Sequence, residues 1–251
     1  MNAELFDYVL TLGDDSLILG HRLSQWCGHA PILEEELALG NIALDCLGHA
    51  LHLLNFASQV ENQGRSADTL VYSRVETEFR NCALVEQPNY DFGYTIARQF
   101  FYSAFAYLHY EALKKSSNEH LAAIAAKAHK EVTYHLRHAR EWMVRLGDGT
   151  AESHERISAA VNDLWMFTGE LFYVSTGEQS LLKKNIVPNR ETFRDPWNKL
   201  ISETLIEATI PKPDADIFMY QGAREGRHTE HLGHLLAELQ IVSRTFPTAT
   251  W

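Results

Sequence analysis

The stretch KEVTYHLRHA, Lys130 to Ala139, decides the architecture of this chain. In a di-iron carboxylate bundle such a helix carries Glu-x-x-His, because a Glu and a His at i and i+3 project from one face toward a metal pair. Counting back three from His135 lands on Val132, and the nearest glutamate, Glu131, stands one place too early. The stretch is therefore either a metal helix with its acid shifted in register or a helix of that architecture whose metal chemistry is gone.

The face around His135 sharpens the choice. Ala128, Val132, His135, Ala139 and Trp142 follow at spacings of 4, 3, 4 and 3 and trace one helical stripe, on which His135 is the only polar residue. A second stripe, Leu39, Ile42, Cys46, His49 and Leu53, has the same form, again with one histidine and no carboxylate. A di-iron site takes one further carboxylate from each of two more helices. No acid lies between Asp15 and Glu34 or between Asp91 and Glu111, so the middles of both candidate helices read as empty. Iron needs that negative charge, and without it the cavity is expected to fill with apolar side chains and close. The competing reading uses shifted ligands: Asp45 with His49 and Glu131 with His135 are i, i+4 pairs, and Cys46, His49 and His135 have the composition of a three-ligand zinc site. The plainer alternative is that the histidines are hydrogen-bonded core residues, with Asp45 and Glu131 paired between helices to Arg, His or a backbone donor.

Outward from these stripes the chain reads as helix almost throughout. No proline lies between Asn89 and Val187 and no glycine between Tyr94 and Leu146, so two long helices run there, broken only at LKKSSNEH. LEEELALGNIALDCLGHALHLLNFASQV is apolar on nearly every side, which predicts a helix buried at the centre of a bundle. Further helices are expected over 5–26, 152–173, 194–207 and 229–245, with turns at Gly147–Gly149 and Pro211–Pro213. Strand signals are nearly absent, and no repeat or linker divides the chain. The fold class expected is all-α: one ferritin-like helical bundle over 1–251, with additional helices.

Composition bounds the function. With 33 Asp and Glu against 22 Lys and Arg, the net charge of −11 argues against a nucleic-acid partner. Three widely spaced cysteines, Cys27, Cys46 and Cys82, make no disulfide framework and read as reduced, mostly buried thiols. No apolar run reads as a membrane span and the first residues show no signal-peptide pattern, so the expected location is cytoplasmic.

The segments QWCGHAP, ALGNIALDCLGHA, TLVYSRVETEFRNCALVEQPN, IARQFFYSAF, AAKAHKEVTYHLRHAREWMVRLGDGT and GRHTEHLGHLLAELQ together resemble the C-type subunits of the bacterial phenylacetyl-CoA epoxidases, over essentially the whole chain. That resemblance implies a division of labour. The di-iron centre belongs to the A-type subunit, and the C-type subunit is its ferritin-like, non-catalytic partner, without a cofactor of its own. A small bridging subunit and a reductase with flavin and an iron–sulfur cluster complete the complex, which epoxidises the ring of phenylacetyl-CoA with O2 and NADPH. Against the A-type motifs, Cys46 stands where one ligating glutamate is expected, Val132 where the second is, and Ser103 near the acid of the intervening helix, while His49 and His135 are retained. On this resemblance the positions are those of a vacated metal site. The rival is an independent ferritin-like metalloprotein or oxidase using Asp45, His49, Glu131 and His135.

Two other groups invite a ligand. Arg74 and Arg80 lie near an aromatic, and Lys183 and Lys184 follow the polar GEQS loop, a setting in which an acyl-CoA's phosphates would be met. The resemblance points there to Thr77, Glu78, Phe79, Arg80, Glu178, Gln179 and Ser180, against the alternative of solvated surface charge. His228, His231 and His234 suggest a metal by composition, but helical geometry sends the first and last to different sides, and a packing or subunit-contact role fits better.

Overall fold

A computed structural model describes residues 2–214 and 217–249. It is all helical, with no strand among the described residues. Helix α1 (Ala3–Ser24) packs along α2 (Leu33–Glu61) as a hairpin. A long crossover holds the short α3 (Ala67–Tyr72) and α4 (Ala83–Glu86) and leads to the second hairpin, α5 (Phe92–Leu113) on α6 (Glu119–Gly147). Two helical hairpins joined by one long crossover make the ferritin-like bundle. Around it, α7 (Ala151–Trp165) lies on α5 and α6, α8 (Glu178–Lys183) touches α1, α9 (Arg194–Glu207) lies on α5 and α6, and α10 (Glu230–Thr245) covers α3 and α4.

Local chemistry sets the helix ends. The Asn118 and Asp91 side chains accept from the backbone N–H groups of Leu121 and Tyr94 at 3.0 and 2.8 Å, satisfying donors that an α-helix leaves free at its start. Helix α2 ends at Asn62 in the left-handed region, φ 54°, a conformation asparagine tolerates. At the end of α6, Gly147 meets the turn after α9 so closely that a Cβ would lie 2.1 Å from the Ala208 carbonyl oxygen. Only glycine fits there.

Some expectations need correction. The central helix is α5, with 17 of its 22 residues buried, whereas only 12 of 29 are buried in α2. Apolar composition cannot say which covering a helix receives, and α2 leaves Leu33, Leu37, Leu44 and Leu51 more than half exposed. The helix expected over 152–173 stops at Trp165 and gives way to a 3-10 turn, Gly169–Phe172, because the Glu170 carboxylate turns inward to accept from the backbone of Ala83, Gly222 and Ala223. The cysteines agree with the expectation of mostly buried thiols: Cys46 and Cys82 are buried and Cys27 is exposed. By length and composition α2 would also cross a membrane, contrary to the expectation from sequence, but it packs on α1 and α6 as a bundle helix.

Candidate functional site

The two histidine stripes face each other where α2 runs past α6. Each histidine is taken by the acid of the opposite helix. His49 Nε2 lies 2.5 Å from Glu131 Oε2, and His135 Nε2 lies 3.0 Å from Asp45 Oδ2. The i, i+4 spacing thus does not bring Asp45 to His49 or Glu131 to His135 but crosses the pairs between helices. A further rung, His138 Nε2 to Glu35 Oε2 at 2.8 Å, extends the ladder toward the start of α2, and Lys127 Nζ with His52 Nε2 at 3.1 Å ends it on the other side. The four shifted-ligand candidates therefore do share one seam, with the His49 and His135 rings 6.4 Å apart.

The histidines are 4% and 1% exposed, whereas the side chains of Asp45 and Glu131 are about a third exposed. The carboxylates reach in from a wet rim, so part of their charge stays hydrated while the imidazole rings are buried. Burial pushes His49 below the ordinary histidine range despite the hydrogen bond and charge of Glu131. A neutral His49 donates Nε2–H to Glu131. Cys46 and Val132 are each 3% exposed and Ser103 1%, its hydroxyl accepting from Gln99 Nε2 at 3.0 Å. Burial, and then the charges of Asp45 and Glu131, push the Cys46 thiol well up, so with no cation beside it Cys46 is a neutral small side chain. Among the described residues no group of three or more His, Cys, Asp or Glu side chains is arranged to hold a metal ion. The donors present do not fit a di-iron pair. The seam closes through polar pairs over an apolar floor, where the sequence had suggested apolar filling alone.

A second buried polar cluster was missed. Asp14 and Asp15 sit in the middle of α1 and are fully buried, so that helix is not empty of acid. Asp14 accepts two bonds from the Arg74 guanidinium, at 2.9 and 2.5 Å, and one from the Arg80 backbone. Asp15 accepts two from Arg224, both 2.8 Å, and one from the Cys82 backbone. Arg74, read as a phosphate contact, stacks on Phe79 at 4.1 Å but is sealed against Asp14. Two adjacent acids in the middle of a helix call for buried cations, but nothing local singles out Arg74 and Arg224 among the 22 Lys and Arg residues of the chain. The Glu35–His138 rung was likewise missed, although His135 and His138 at i, i+3 share a face.

The supposed acyl-CoA contacts divide. Phe79 is fully buried and Glu178 faces Arg190 in the interior, so neither is available to a ligand. Thr77, Glu78 and Gln179 are exposed and Ser180 is half-buried. Arg80 turns its guanidinium onto the carbonyls of Thr77 and Phe79, closing its own turn. Among the described residues no hydrogen bond or ion pair joins the Thr77–Arg80 turn to the Glu178–Ser180 turn. The three C-terminal histidines do not converge either. His228 precedes α10 and is held by Glu86 at 2.9 Å and the Phe79 carbonyl at 3.1 Å, His231 offers only its carbonyl to Arg22, and His234 is exposed.

Comparison with known proteins bears on this geometry. The family model for phenylacetic acid catabolic proteins matches residues 1–251. The C subunit of the 1,2-phenylacetyl-CoA epoxidase of Escherichia coli (strain K12) is 44% identical over 248 residues, covering 99% of this chain and 99% of that protein.

Proposed function

The chain belongs to the family of phenylacetic acid catabolic proteins, and from that premise we propose that it is the structural, non-catalytic C-type subunit of a phenylacetyl-CoA epoxidase in aerobic phenylacetate degradation. It acts as one ferritin-like unit over 1–251, in the cytoplasm, beside an A-type subunit that carries the di-iron centre. A bridging subunit and a reductase with flavin and iron–sulfur complete the assembly. Epoxidation with O2 and NADPH takes place on the A-type partner.

The observation that carries this reading is the crossed ladder. Both histidines retained from a metal-binding pattern are held by carboxylates of the opposite helix, and the positions where ligating acids are expected hold Cys46, Val132 and Ser103. A bundle so closed supplies shape and stiffness to a partner rather than redox chemistry. The test is reconstitution. The chain alone is expected to retain no stoichiometric iron after chelation and to epoxidise nothing, to co-purify with the A-type subunit, and to be required for turnover of the assembled complex. Two irons per chain surviving chelation would overturn it.

The rival, an independent metalloprotein, draws on the presence of Asp45, His49, Glu131 and His135 at one seam. It requires a metal to displace both pairs, so Glu131→Gln should then abolish metal uptake and activity together.

A further inference from the structure

Residues 174–183, which carry α8, lie against α1. Every hydrogen bond they make stays within the segment or goes to the turn that ends it, Lys184–Ile186. Among the described residues none reaches any other part of the chain. Only Glu178 and Leu181 are buried in the segment, so Leu181 is its one fully buried apolar side chain. The two ends are held differently. Tyr173 donates its hydroxyl to Glu225 at 2.8 Å. Past α8 three bonds tie the chain to the turn between α5 and α6: the Ser117 N–H to the Asn185 carbonyl at 2.9 Å, the Ser117 hydroxyl to the Lys184 carbonyl at 2.9 Å and the Ser116 hydroxyl to the Ile186 carbonyl at 2.6 Å. Asn185 takes the left-handed conformation there, φ 54°, which asparagine tolerates.

The polar contact beneath the segment is a loose one. Glu178 Oε2 lies 3.7 Å from Arg190 Nε, too far for a hydrogen bond, although the two residues are 4% and 0% exposed. Glu178 Oε2 and the Nε and Nη2 of Arg190 have no hydrogen-bond partner among the described residues. The tie of Asp15 to Arg224 is the contrast, with two bonds of 2.8 Å. A buried pair recovers the cost of leaving water only when its geometry is good and its remaining donors and acceptors are met. Closure over Arg190 therefore gives up hydration that lifting of the segment restores. Against lifting stand the attraction of the two charges and the burial of Leu181. Helix α8 has six residues, too few for a helix to persist in water without support, so lifting also unwinds it.

We propose that residues 174–183 form a strap, moored at Tyr173 and Asn185, that lifts and unwinds by itself while the bundle stays folded, with Glu178 and Arg190 as its latch. Lifting uncovers the Arg190 guanidinium and the Tyr8 ring, 5.1 Å from it. The inference stands apart from the scaffold reading, and either can fail without the other. The test is amide hydrogen exchange of the purified full-length chain, read by mass spectrometry on fragments from the strap and from α5. Strap amides are expected to exchange at least ~100-fold faster than those of α5, at a rate that low urea does not change. Asp15→Ala breaks a tie that a lifted strap leaves intact, so it should speed α5 by at least ~100-fold and leave the strap as it is. Glu178→Gln takes the charge out of the latch and should speed the strap by at least ~10-fold. A strap that exchanges at the rate of α5, or that follows Asp15→Ala as closely as α5 does, opens only with the whole molecule and overturns the proposal. So does a Glu178→Gln variant whose strap exchanges at the parent's rate.

Discussion

Between α2 and α6, carboxylates on a wet rim reach in to imidazoles, while in the middle of α1 two carboxylates are sealed with guanidinium groups and no water-facing side. The first arrangement can shed its charge, because a histidine can be neutral and a rim carboxylate stays partly hydrated. The second cannot, because arginine keeps its proton and a fully buried carboxylate has nowhere else to turn. Burial pushes the Arg224 guanidinium down, but the charge and hydrogen bonds of Asp15, with Cys82 and Glu170 nearby, together more than reverse that shift. Polar groups in one bundle core therefore serve two ends: an adaptable seam between helices, and fixed ties that hold the crossover and the segment before α10 onto α1.

The most severe way to break the comparison is to put permanent charge into the adaptable seam. Cys46→Glu with Val132→Glu rebuilds both Glu-x-x-His motifs but adds two carboxylates at positions 3% exposed. With no cation beside them the expected cost is several kcal/mol, a large share of the roughly 5–15 kcal/mol that holds a domain together. Thermal unfolding with and without ferrous iron reads it. A variant as stable as the parent that binds two irons tightly would mean that the seam is a preformed metal pocket.

Next in size, Asp15→Ala leaves Arg224 buried and unpaired and should cost about 3–5 kcal/mol. Asp45→Ala, which frees only a histidine that can be neutral, should cost about 1 kcal/mol. Urea unfolding of the two variants beside the parent measures the gap, and equal losses would erase the distinction between the clusters.

The pH profile sharpens the same point. His109 is held well below the ordinary histidine range by burial, and then by the charges of Arg190 and Arg224, and it accepts a hydrogen bond from the Tyr8 hydroxyl at 2.7 Å. His49 is lowered too, again chiefly by burial. For both, the folded value lies below the unfolded one, so their stabilisation is complete above the unfolded value, near pH 6.5, and is lost as pH falls below it. Each adds a slope of up to about 1.4 kcal/mol per pH unit on the acid side. His228 has the opposite sign. Burial lowers it, but the hydrogen bond and charge of Glu86, with the Phe79 carbonyl and the charge of Glu76, together outweigh burial and raise it. Its contribution is full below about pH 6.5 and fades as pH rises through the folded value. Unfolding free energy between about pH 5 and 8 should show His109→Gln flattening the acid limb and His228→Gln flattening the alkaline one. The smallest effect is expected at the surface, where Glu152→Ala removes the exposed pair with Arg156 and should change stability by no more than about 0.5 kcal/mol.

Legible in the sequence was whatever depends on neighbours along the chain. The long helices, the turn at LKKSSNEH and the two histidine stripes follow from apolar spacing and from the positions of proline and glycine. The crossed pairing of Asp45 with His135 and Glu131 with His49 was not legible, since i, i+4 spacing is satisfied equally by a pair on one helix and by two pairs between helices. The pairing of Asp15 with Arg224 was hidden for the same reason, as no local pattern joins residues so far apart. Short helices such as α3, α4 and α8 were missed because four to six residues give too little periodicity to read. The apolar look of α2 was misjudged because hydrophobicity records that a surface avoids water, and not whether its cover comes from the same chain.

The tie between Asp15 and Arg224 spans 209 residues of sequence. On a ribosome making roughly 5–20 residues per second, α1 waits some tens of seconds before its counter-charge is made. Until then Asp15 stays hydrated only if α1 is not yet sealed into the core. Synthesis of the C-terminal segment thus acts as a timer on the N-terminal helix, and a chain released before Arg224 would hold every long helix of the bundle yet lack the charge that lets the bundle shut.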